Sequence, residues 1–406
     1  MRLLKITTVL SWAFLLNPVQ ADQASIKEQS EQIAQKYLIT DTHIDVPYRL
    51  KKGWVDVSVA TEGGEFDYPR AMQGGLNLPF MSIYTPASLE NENGQADESY
   101  ELANQLIDSV EALAARAADK FMLVKSVADA EKAMQSGRIG LAMGMENGSP
   151  INNKLENIQF FADRGIRYIT LAHGLSNHIS DSSYDDNHQW NGLSPFGKQV
   201  VAEMNRVGVM IDISHVSDEA FYQVMELSKT PVIASHSSPR HFTPGWERNM
   251  SDDMIVALAK NGGVIQINFG SGFLRQDARE WYETMDEQRT TYLEANGLDE
   301  DSDEADQFEV DYRIAHPYPY ASLDNLVEVF EHVIKLVGAE HVGIGSDFDG
   351  VGDSLPEDMK DVSYYPLLIE ALLKHEYSVD TIRAIMGGNL MRVWSEVEAF
   401  AQNTKG

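Results

Sequence analysis

The stretch FGKQVVAEMNRVGVMIDISH (196–215) contains the pattern that decides the fold. Its first part, FGKQVVAEMNRVG (196–208), has the spacing of a helix. Its second part, GVMIDISH (208–215), is a short apolar run, rich in β-branched residues, that ends in a histidine. Near-continuous apolar strands alternating with helices indicate a parallel sheet that is buried on both faces.

The same alternation recurs along the chain without any repeated sequence. Eight short apolar runs are separated by polar loops and helical stretches. Eight such units predict an α/β protein with a closed (β/α)8 barrel of the TIM type, and a doubly wound open sheet is the alternative. The other seven runs are YLITDTHID (37–45), LNLPFMSIY (76–84), RIGLAMGME (138–146), RYITLAH (167–173), PVIASH (231–236), GVIQINF (263–269) and HVGIGSD (341–347).

Ionisable residues stand at the ends of six of these eight runs. In a barrel, the C-terminal ends of all strands point to one mouth, where the active site lies. One histidine at a strand end is more often an ordinary polar residue, but several buried ionisable groups need partners or a metal. We therefore expect the following side chains to converge: His43, Asp45, Glu146, His173, His215, His236 and Asp347.

The spacing of His43 and Asp45 adds a geometric reason to expect a metal. Side chains at positions i and i+2 of a strand point to the same face, so both can hold one ion. Imidazole and carboxylate ligands without thiolate suit Zn²⁺ in an open catalytic site. The ligands are too many for one tetrahedral ion, and they suit two ions bridged by a carboxylate, ~3.5–4 Å apart, as in many hydrolases. This predicts the architecture of a metal-dependent hydrolase.

Composition and motifs exclude several classes of function. The net charge of −30, from 62 acidic and 32 basic residues, would repel phosphate backbones, which argues against a nucleic-acid partner. The chain has no cysteine, so disulfides, thiolate metal sites and a cysteine nucleophile are excluded. The sequence contains neither a Gly-x-Ser-x-Gly nucleophile elbow nor a phosphate-binding P-loop.

The first 21 residues have the pattern of a secretory signal peptide. Arg2 and Lys5 precede an apolar run at 6–16 that is too short to span a bilayer, and Val19 and Ala21 offer a cleavage site. An uncleaved anchor is the alternative. We expect no membrane span in the mature chain, and an exported chain without cysteine fits a bacterial periplasm.

A segment at about 276–320 interrupts the regular alternation of runs and helices. It is strongly acidic and contains the polar tract LDEDSDEADQFEVD (298–311). We interpret it as a solvated helix followed by a flexible loop, and a Ca²⁺ site is disfavoured because the tract lacks the central glycine of an EF-hand loop. The predicted organisation is a signal peptide (1–21) followed by a single barrel domain (22–406) carrying this acidic insertion.

Five sequence blocks resemble the renal (membrane) dipeptidase family, a branch of the amidohydrolase-type barrels. The resemblance covers nearly the whole mature chain, and together the blocks are far more specific than a two-residue motif. They are DTHID (41–45), PFGKQVVAEMNRVGVMIDISHVSD (195–218), ASHSSPR (234–240), RNMSD (248–252) and GSDFDG (345–350).

The resemblance implies a binuclear zinc metallodipeptidase in which a metal-bridging hydroxide attacks the peptide bond of dipeptides, including those with a D-configured C-terminal residue. By it, His43 and Asp45 hold one ion, His215 and His236 hold the other, and Glu146 bridges them. His173 polarises the substrate, Arg248 meets its terminal carboxylate, and Asp347 shuttles the proton. The predicted catalytic residues are Asp347, His173 and Glu146, and the predicted substrate-binding residues are His173, Arg248 and Asp347.

The chain departs from the family pattern at three places, which bear on substrate preference rather than on the chemistry. Ala172 stands where the family usually has Thr, Gly270 stands where a Tyr is common, and the 276–320 segment is longer than usual. Two other functions stay open: a metal-dependent amidohydrolase acting on a cyclic amide or lactone, and a secreted binding protein that has lost catalysis. The sequence leaves the oligomeric state open, a homodimer included.

Overall fold

A computed structural model describes residues 18–91, 94–299 and 302–404 of the chain. Residues 1–17 of the predicted signal peptide lie outside the described residues, as do residues 300 and 301 of the acidic tract. The chain alternates strands and helices almost throughout. The strands are β1 (Thr40–Ile44), β2 (Leu78–Tyr84), β3 (Phe121–Leu123), β4 (Ile139–Glu146), β5 (Ile166–Thr170), β6 (Met210–Asp212), β7 (Ile233–Ser237), β8 (Val264–Ile267) and β9 (Val342–Ile344).

The helices surround this sheet or follow it in the chain. They are α1 (Pro18–Lys36), α2 (Val46–Lys52), α3 (Tyr68–Gly74), α4 (Asp97–Arg116), α5 (Val127–Gln135), α6 (Glu156–Arg164), α7 (Pro195–Val207), α8 (Asp218–Leu227), α9 (Asp252–Lys260), α10 (Ser271–Leu274), α11 (Gln276–Asn296), α12 (Asp303–Ala315), α13 (Leu323–Val337), α14 (Tyr365–Lys374), α15 (Val379–Arg383) and α16 (Asn389–Thr404). None of the helices in the described part of the chain is long and apolar enough to cross a bilayer.

Eight parallel strands form a nearly closed barrel in the order β1-β2-β4-β5-β6-β7-β8-β9. Closure comes from a parallel bridge between Ile44 and Phe348. It is reinforced where the Asp347 backbone N–H donates to the His43 carbonyl at 3.1 Å. The (β/α)8 prediction is therefore confirmed, and the eight strands correspond to the eight apolar runs of the sequence.

The structure adds a short strand, β3, that the sequence analysis did not find. It pairs in parallel with the first half of β4, where Phe121 lies opposite Ile139. Its three residues are too few to show a period of two, and they directly follow the helical pattern of α4. Because β3 pairs outside the main strand path, it does not change the barrel.

Large apolar side chains fill the barrel interior. Phe80 from β2 and Tyr168 from β5 stack with ring centroids 5.8 Å apart, and Trp394 of α16 meets Phe80 edge-on at 5.5 Å. All three side chains are fully buried. This layer is a packed core rather than a pore. The polar side chains lie at the other end of the barrel, where the strands have their C-terminal ends.

The expectation of a flexible loop in the acidic segment is wrong in the described residues. Two helices, α11 and α12, occupy most of it. Ser302 caps α12, and the acidic residues of its first turn suit the positive end of the helix dipole, so acidity here favours a helix. The two helices pack through aromatic rings, with Tyr292 stacked on Phe308 at 5.1 Å and Trp281 edge-on to Tyr312 at 5.2 Å.

Candidate metal centre and substrate cavity

The predicted site residues converge at the C-terminal mouth of the barrel. His43 and Asp45 lie at the end of β1, Glu146 is the last residue of β4, and His236 lies in β7. The loops directly after β5, β6 and β9 carry His173, His215 and Asp347. The structure thus brings together every side chain that the sequence placed at a strand end, as the barrel geometry requires.

Glu146 is the centre of the cluster, and its two oxygens face different partners. Oε2 lies 3.3 Å from His43 Nε2. Oε1 lies 3.2 Å from both His215 Nε2 and His236 Nε2. On the Oε2 side, Asp45 Oδ2 is 3.4 Å from His43 Nε2. Glu146 therefore lies between two pairs of side chains. Its Oε2 atom faces the pair His43 and Asp45, and its Oε1 atom faces the pair His215 and His236.

Hydrogen bonds on the far side of two rings fix the tautomers of those histidines. The Tyr168 hydroxyl donates to the Thr42 carbonyl at 2.9 Å, so it must accept the contact of 2.9 Å from His43 Nδ1–H. Likewise Ser235 Oγ donates to Asp212 at 2.6 Å and accepts from His236 Nδ1–H at 2.7 Å. Both Nε2 lone pairs consequently face the cluster.

The buried nitrogen and oxygen atoms of this cluster fit a bound metal ion better than a set of side chains that contact only one another. His43 Nε2 is buried and has no hydrogen-bond partner among the described residues. Burial lowers the pKa values of His215 and His236 well below the usual range, so both rings are neutral and offer lone pairs. Converging imidazole nitrogens and carboxylate oxygens are the ligand types that bind a divalent cation. The donor set therefore fits the metal cofactor that the sequence predicts.

Tyr168, Asp212 and Ser235 are functional residues that the sequence analysis missed. Asp212 is buried in β6 and holds Ser235, while Thr170 Oγ1 also donates to it at 2.5 Å. The available signal was an acidic residue in the middle of an otherwise apolar run, GVMIDISH. Residues that orient metal-binding histidines commonly accept a hydrogen bond from the ring nitrogen that does not face the metal.

Tyr168 also explains a glycine in the neighbouring strand. A Cβ atom at Gly144 would lie 1.9 Å from the Tyr168 ring. Glycine at this position therefore makes room for the ring that orients His43.

Asp347 lies beside the cluster on a tight loop after β9. Burial, together with the charges of Asp45 and Glu146, raises its pKa well above the usual range of a carboxyl group. Asn268 Nδ2 donates to Asp347 Oδ2 at 2.8 Å, which fixes one of its oxygens. A Cβ atom at Gly350 would lie 2.1 Å from Asp347 Oδ1 and 2.4 Å from Asp45 Oδ2, so only glycine leaves these carboxylates their space. A half-buried carboxyl group with a raised pKa is suited to proton transfer.

His173 lies on the cavity side of Glu146, with its Nε2 atom 3.5 Å from Glu146 Oε1. Burial lowers its pKa, and the nearby Arg248 adds to this effect, so the ring is neutral. Its ring contacts those of Tyr84 at 4.8 Å and His215 at 4.3 Å. A neutral imidazole in this position can donate one hydrogen bond to a group in the cavity.

Arg248 is buried at the edge of the same site and is held by the scaffold. Its Nη1 donates to Ser237 Oγ at 2.7 Å and its Nη2 donates to the His236 carbonyl, also at 2.7 Å. Nε is buried without a partner in the described part of the chain. Because the guanidinium is fixed and keeps unused N–H donors, it is prepared to bind an anionic group.

A cavity of about 760 Å³ opens from this cluster. It is of the size that holds a small organic ligand. The acidic segment lines its outer part, because α11 and α12 and the chain that follows contribute Arg279, Tyr282, Glu309, Arg313 and Tyr318. The segment is therefore part of the substrate cavity, which its composition did not indicate.

Comparisons with known proteins find similar sequences along nearly the whole chain. The sequence profile described as membrane dipeptidase (peptidase family M19) matches residues 27–406. An uncharacterised dipeptidase of Schizosaccharomyces pombe is 30% identical over 393 residues, covering 92% of this chain and 84% of that protein. Dipeptidase 3 of Mus musculus is 27% identical over 390 residues, covering 94% and 69%.

Solved structures show the same fold. The probable dipeptidase PvdM of Pseudomonas aeruginosa superposes with a TM-score of 0.80 at 28% identity, covering 93% of this chain and all of that one. A metallopeptidase of Rhodobacter sphaeroides, solved with a phosphinate mimic of the dipeptide L-Ala-D-Ala, gives a TM-score of 0.72 at 22% identity, covering 89% and 99%.

Proposed function

Because the chain belongs to the membrane dipeptidase family, peptidase family M19, and is a metallodipeptidase of that family, we propose that it hydrolyses free dipeptides with the help of two zinc ions. The observation that carries the proposal is the position of Glu146. Each of its oxygens addresses a separate pair of ligands. A single ion would need only one of these pairs.

In this proposal, His43 and Asp45 would hold one ion and His215 and His236 would hold the other, with Glu146 as a ligand available to both. Zinc is the metal that suits nitrogen and oxygen ligands in an open site without thiolate. When bound, such a pair supplies a water-derived nucleophile near neutral pH and the Lewis acidity that polarises a peptide carbonyl.

The protein side chains bind the substrate and move its protons. Arg248 binds the terminal carboxylate, and His173 donates a hydrogen bond to the carbonyl oxygen as negative charge develops there. Asp347 accepts the proton of the nucleophile and gives it to the leaving amine, which is a poor leaving group unless it is protonated. Dipeptides with a D-configured carboxy-terminal residue are included as substrates, because both configurations carry the carboxylate that Arg248 recognises.

Blocking the substrate carboxylate tests this proposal. We expect a dipeptide amide to be cleaved at least about 100-fold more slowly, in kcat/KM, than the free dipeptide, because the charge-assisted contact to Arg248 is lost. Arg248→Lys is expected to lower kcat/KM for the free dipeptide by a similar factor, since an ammonium group cannot replace the planar guanidinium with its two parallel N–H donors. The measurement is steady-state hydrolysis of matched L-L and L-D dipeptides and their amides. Equal turnover of acid and amide would remove Arg248 from this role.

We also propose export of the chain, with residues 1–21 removed and the barrel of residues 22–406 active in the periplasm. The support is the basic start, the short apolar run and the small residues before position 22. N-terminal sequencing of the protein purified from its native host is expected to begin at Asp22. Recovery of Met1 in the mature protein would contradict cleavage.

A further inference from the structure

Three aromatic side chains line the cavity together with Arg248. The Arg248 guanidinium lies 5.1 Å from the Phe273 ring centroid. Phe273 meets Trp246 edge-on at 4.9 Å, and Trp246 meets Tyr184 at 6.1 Å. We call Tyr184, Trp246 and Phe273 the aromatic wall. Tyr184 is 45% exposed, and the other two are half-buried, so their faces are accessible from the cavity.

The acidic segment supports this wall from behind. Arg279 of α11 stacks over the Trp246 ring at 4.5 Å, and its own guanidinium is held by Glu283 at 2.6 Å. Such a cation–π contact holds the indole in one orientation. The wall is therefore held in place, and part of its support comes from the acidic segment.

Gly270 gives Phe273 the space it needs. A Cβ atom at position 270 would lie 3.1 Å from both Phe273 Cδ2 and Val351 Cγ1. At this distance a side chain at position 270 would require the phenyl ring or Val351 to shift by a few tenths of an ångström.

We propose that the aromatic wall makes the enzyme selective for dipeptides whose carboxy-terminal residue has an aromatic or large apolar side chain. The proposal rests on the proposed function, because it places the dipeptide carboxylate on Arg248. The carboxy-terminal side chain branches from the carbon next to that carboxylate, so it lies against Phe273 and its neighbours. Burial of an apolar side chain against aromatic rings favours such substrates over those ending in alanine.

The test compares kcat/KM for Ala-Phe, Ala-Ala and Phe-Ala with the zinc-loaded full chain. We expect the wild type to prefer Ala-Phe over Ala-Ala by at least about tenfold. Phe273→Ala and Trp246→Ala are expected to reduce this preference to about threefold or less, while the ratio of Phe-Ala to Ala-Ala stays unchanged. Tyr184→Ala provides a third variant outside the hydrophobic core, because Tyr184 is 45% exposed, and it is also expected to reduce the preference for Ala-Phe.

Tyr222→Ala is the matched control, because Tyr222 is a similarly exposed aromatic residue of α8 that does not line the cavity. It is expected to keep the wild-type preference. Cleavage of Ala-Phe and Ala-Ala at equal rates, or wall variants that retain the preference, would overturn the selectivity while leaving the dipeptidase function intact. A wild type that cleaves none of the three dipeptides would overturn the proposed function and this inference with it.

Discussion

Replacing Glu146 by alanine is expected to remove or loosen both metal ions and to lower dipeptide hydrolysis by at least about 100-fold. Glu146 Oε2 faces His43, and Oε1 faces His215 and His236, so one substitution takes a ligand from each of the two proposed ions. Loss of a ligand that bound only one ion would leave the other ion in place. The measurement is the zinc content of the purified variant after dialysis, together with its kcat/KM.

Glu309→Ala is the matched control for this experiment. Glu309 is a carboxylate of the same cavity, but it pairs with Arg313 at 3.0 Å and lies outside the metal cluster. It is expected to keep two equivalents of zinc. Circular dichroism of Glu146→Ala checks that the barrel still folds. A folded Glu146→Ala protein that retained one full, tightly bound equivalent would show that Glu146 serves a single ion.

Replacing Asp347 by asparagine is expected to lower kcat by roughly 100-fold or more while zinc content and dipeptide binding are retained. The side chain keeps its shape, and its amide oxygen can still accept the hydrogen bond from Asn268. What the variant loses is the ability to accept a proton. The pKa of Asp347 is raised, first by burial and then by the charges of Asp45 and Glu146.

The alternative role of Asp347 is that of a metal ligand, because His43, Asp45 and Asp347 also lie close enough to share an ion. Zinc analysis separates the two roles. Loss of zinc from Asp347→Asn would favour the ligand role, and a kcat close to that of the wild type would exclude proton transfer by this residue. Retained zinc with a low kcat is the result that the shuttle role predicts.

The sequence predicted the barrel and the positions of its strand ends because both follow from short-range patterns. An apolar run such as RIGLAMGME (138–146) indicates a buried strand, and the charge at its end, Glu146, indicates the mouth. Convergence of residues that are distant in sequence then follows from the closed barrel. The strand β3 was not predictable in this way, because its three residues are too few to show the alternation of a strand.

Features built by tertiary packing were not predictable in this way. The contact between Tyr168 and His43 joins residues 125 positions apart, and only the structure shows that the hydroxyl reaches the ring. The acidic segment was interpreted from its charge, whereas its aromatic residues and the capping Ser302 determine that it forms packed helices. The aromatic wall joins three separate segments, the loop after β5, the loop after β7 and the helix α10.

A pair of zinc ions, one on either side of Glu146, is the central prediction. An anomalous difference map collected at the zinc edge, from crystals of the mature protein grown with zinc, tests this. We expect two peaks about 3.5–4 Å apart. One should lie between His43 and Asp45 and the other between His215 and His236, with Glu146 contacting both. A single peak at full occupancy, or two peaks of which Glu146 contacts only one, would contradict the account.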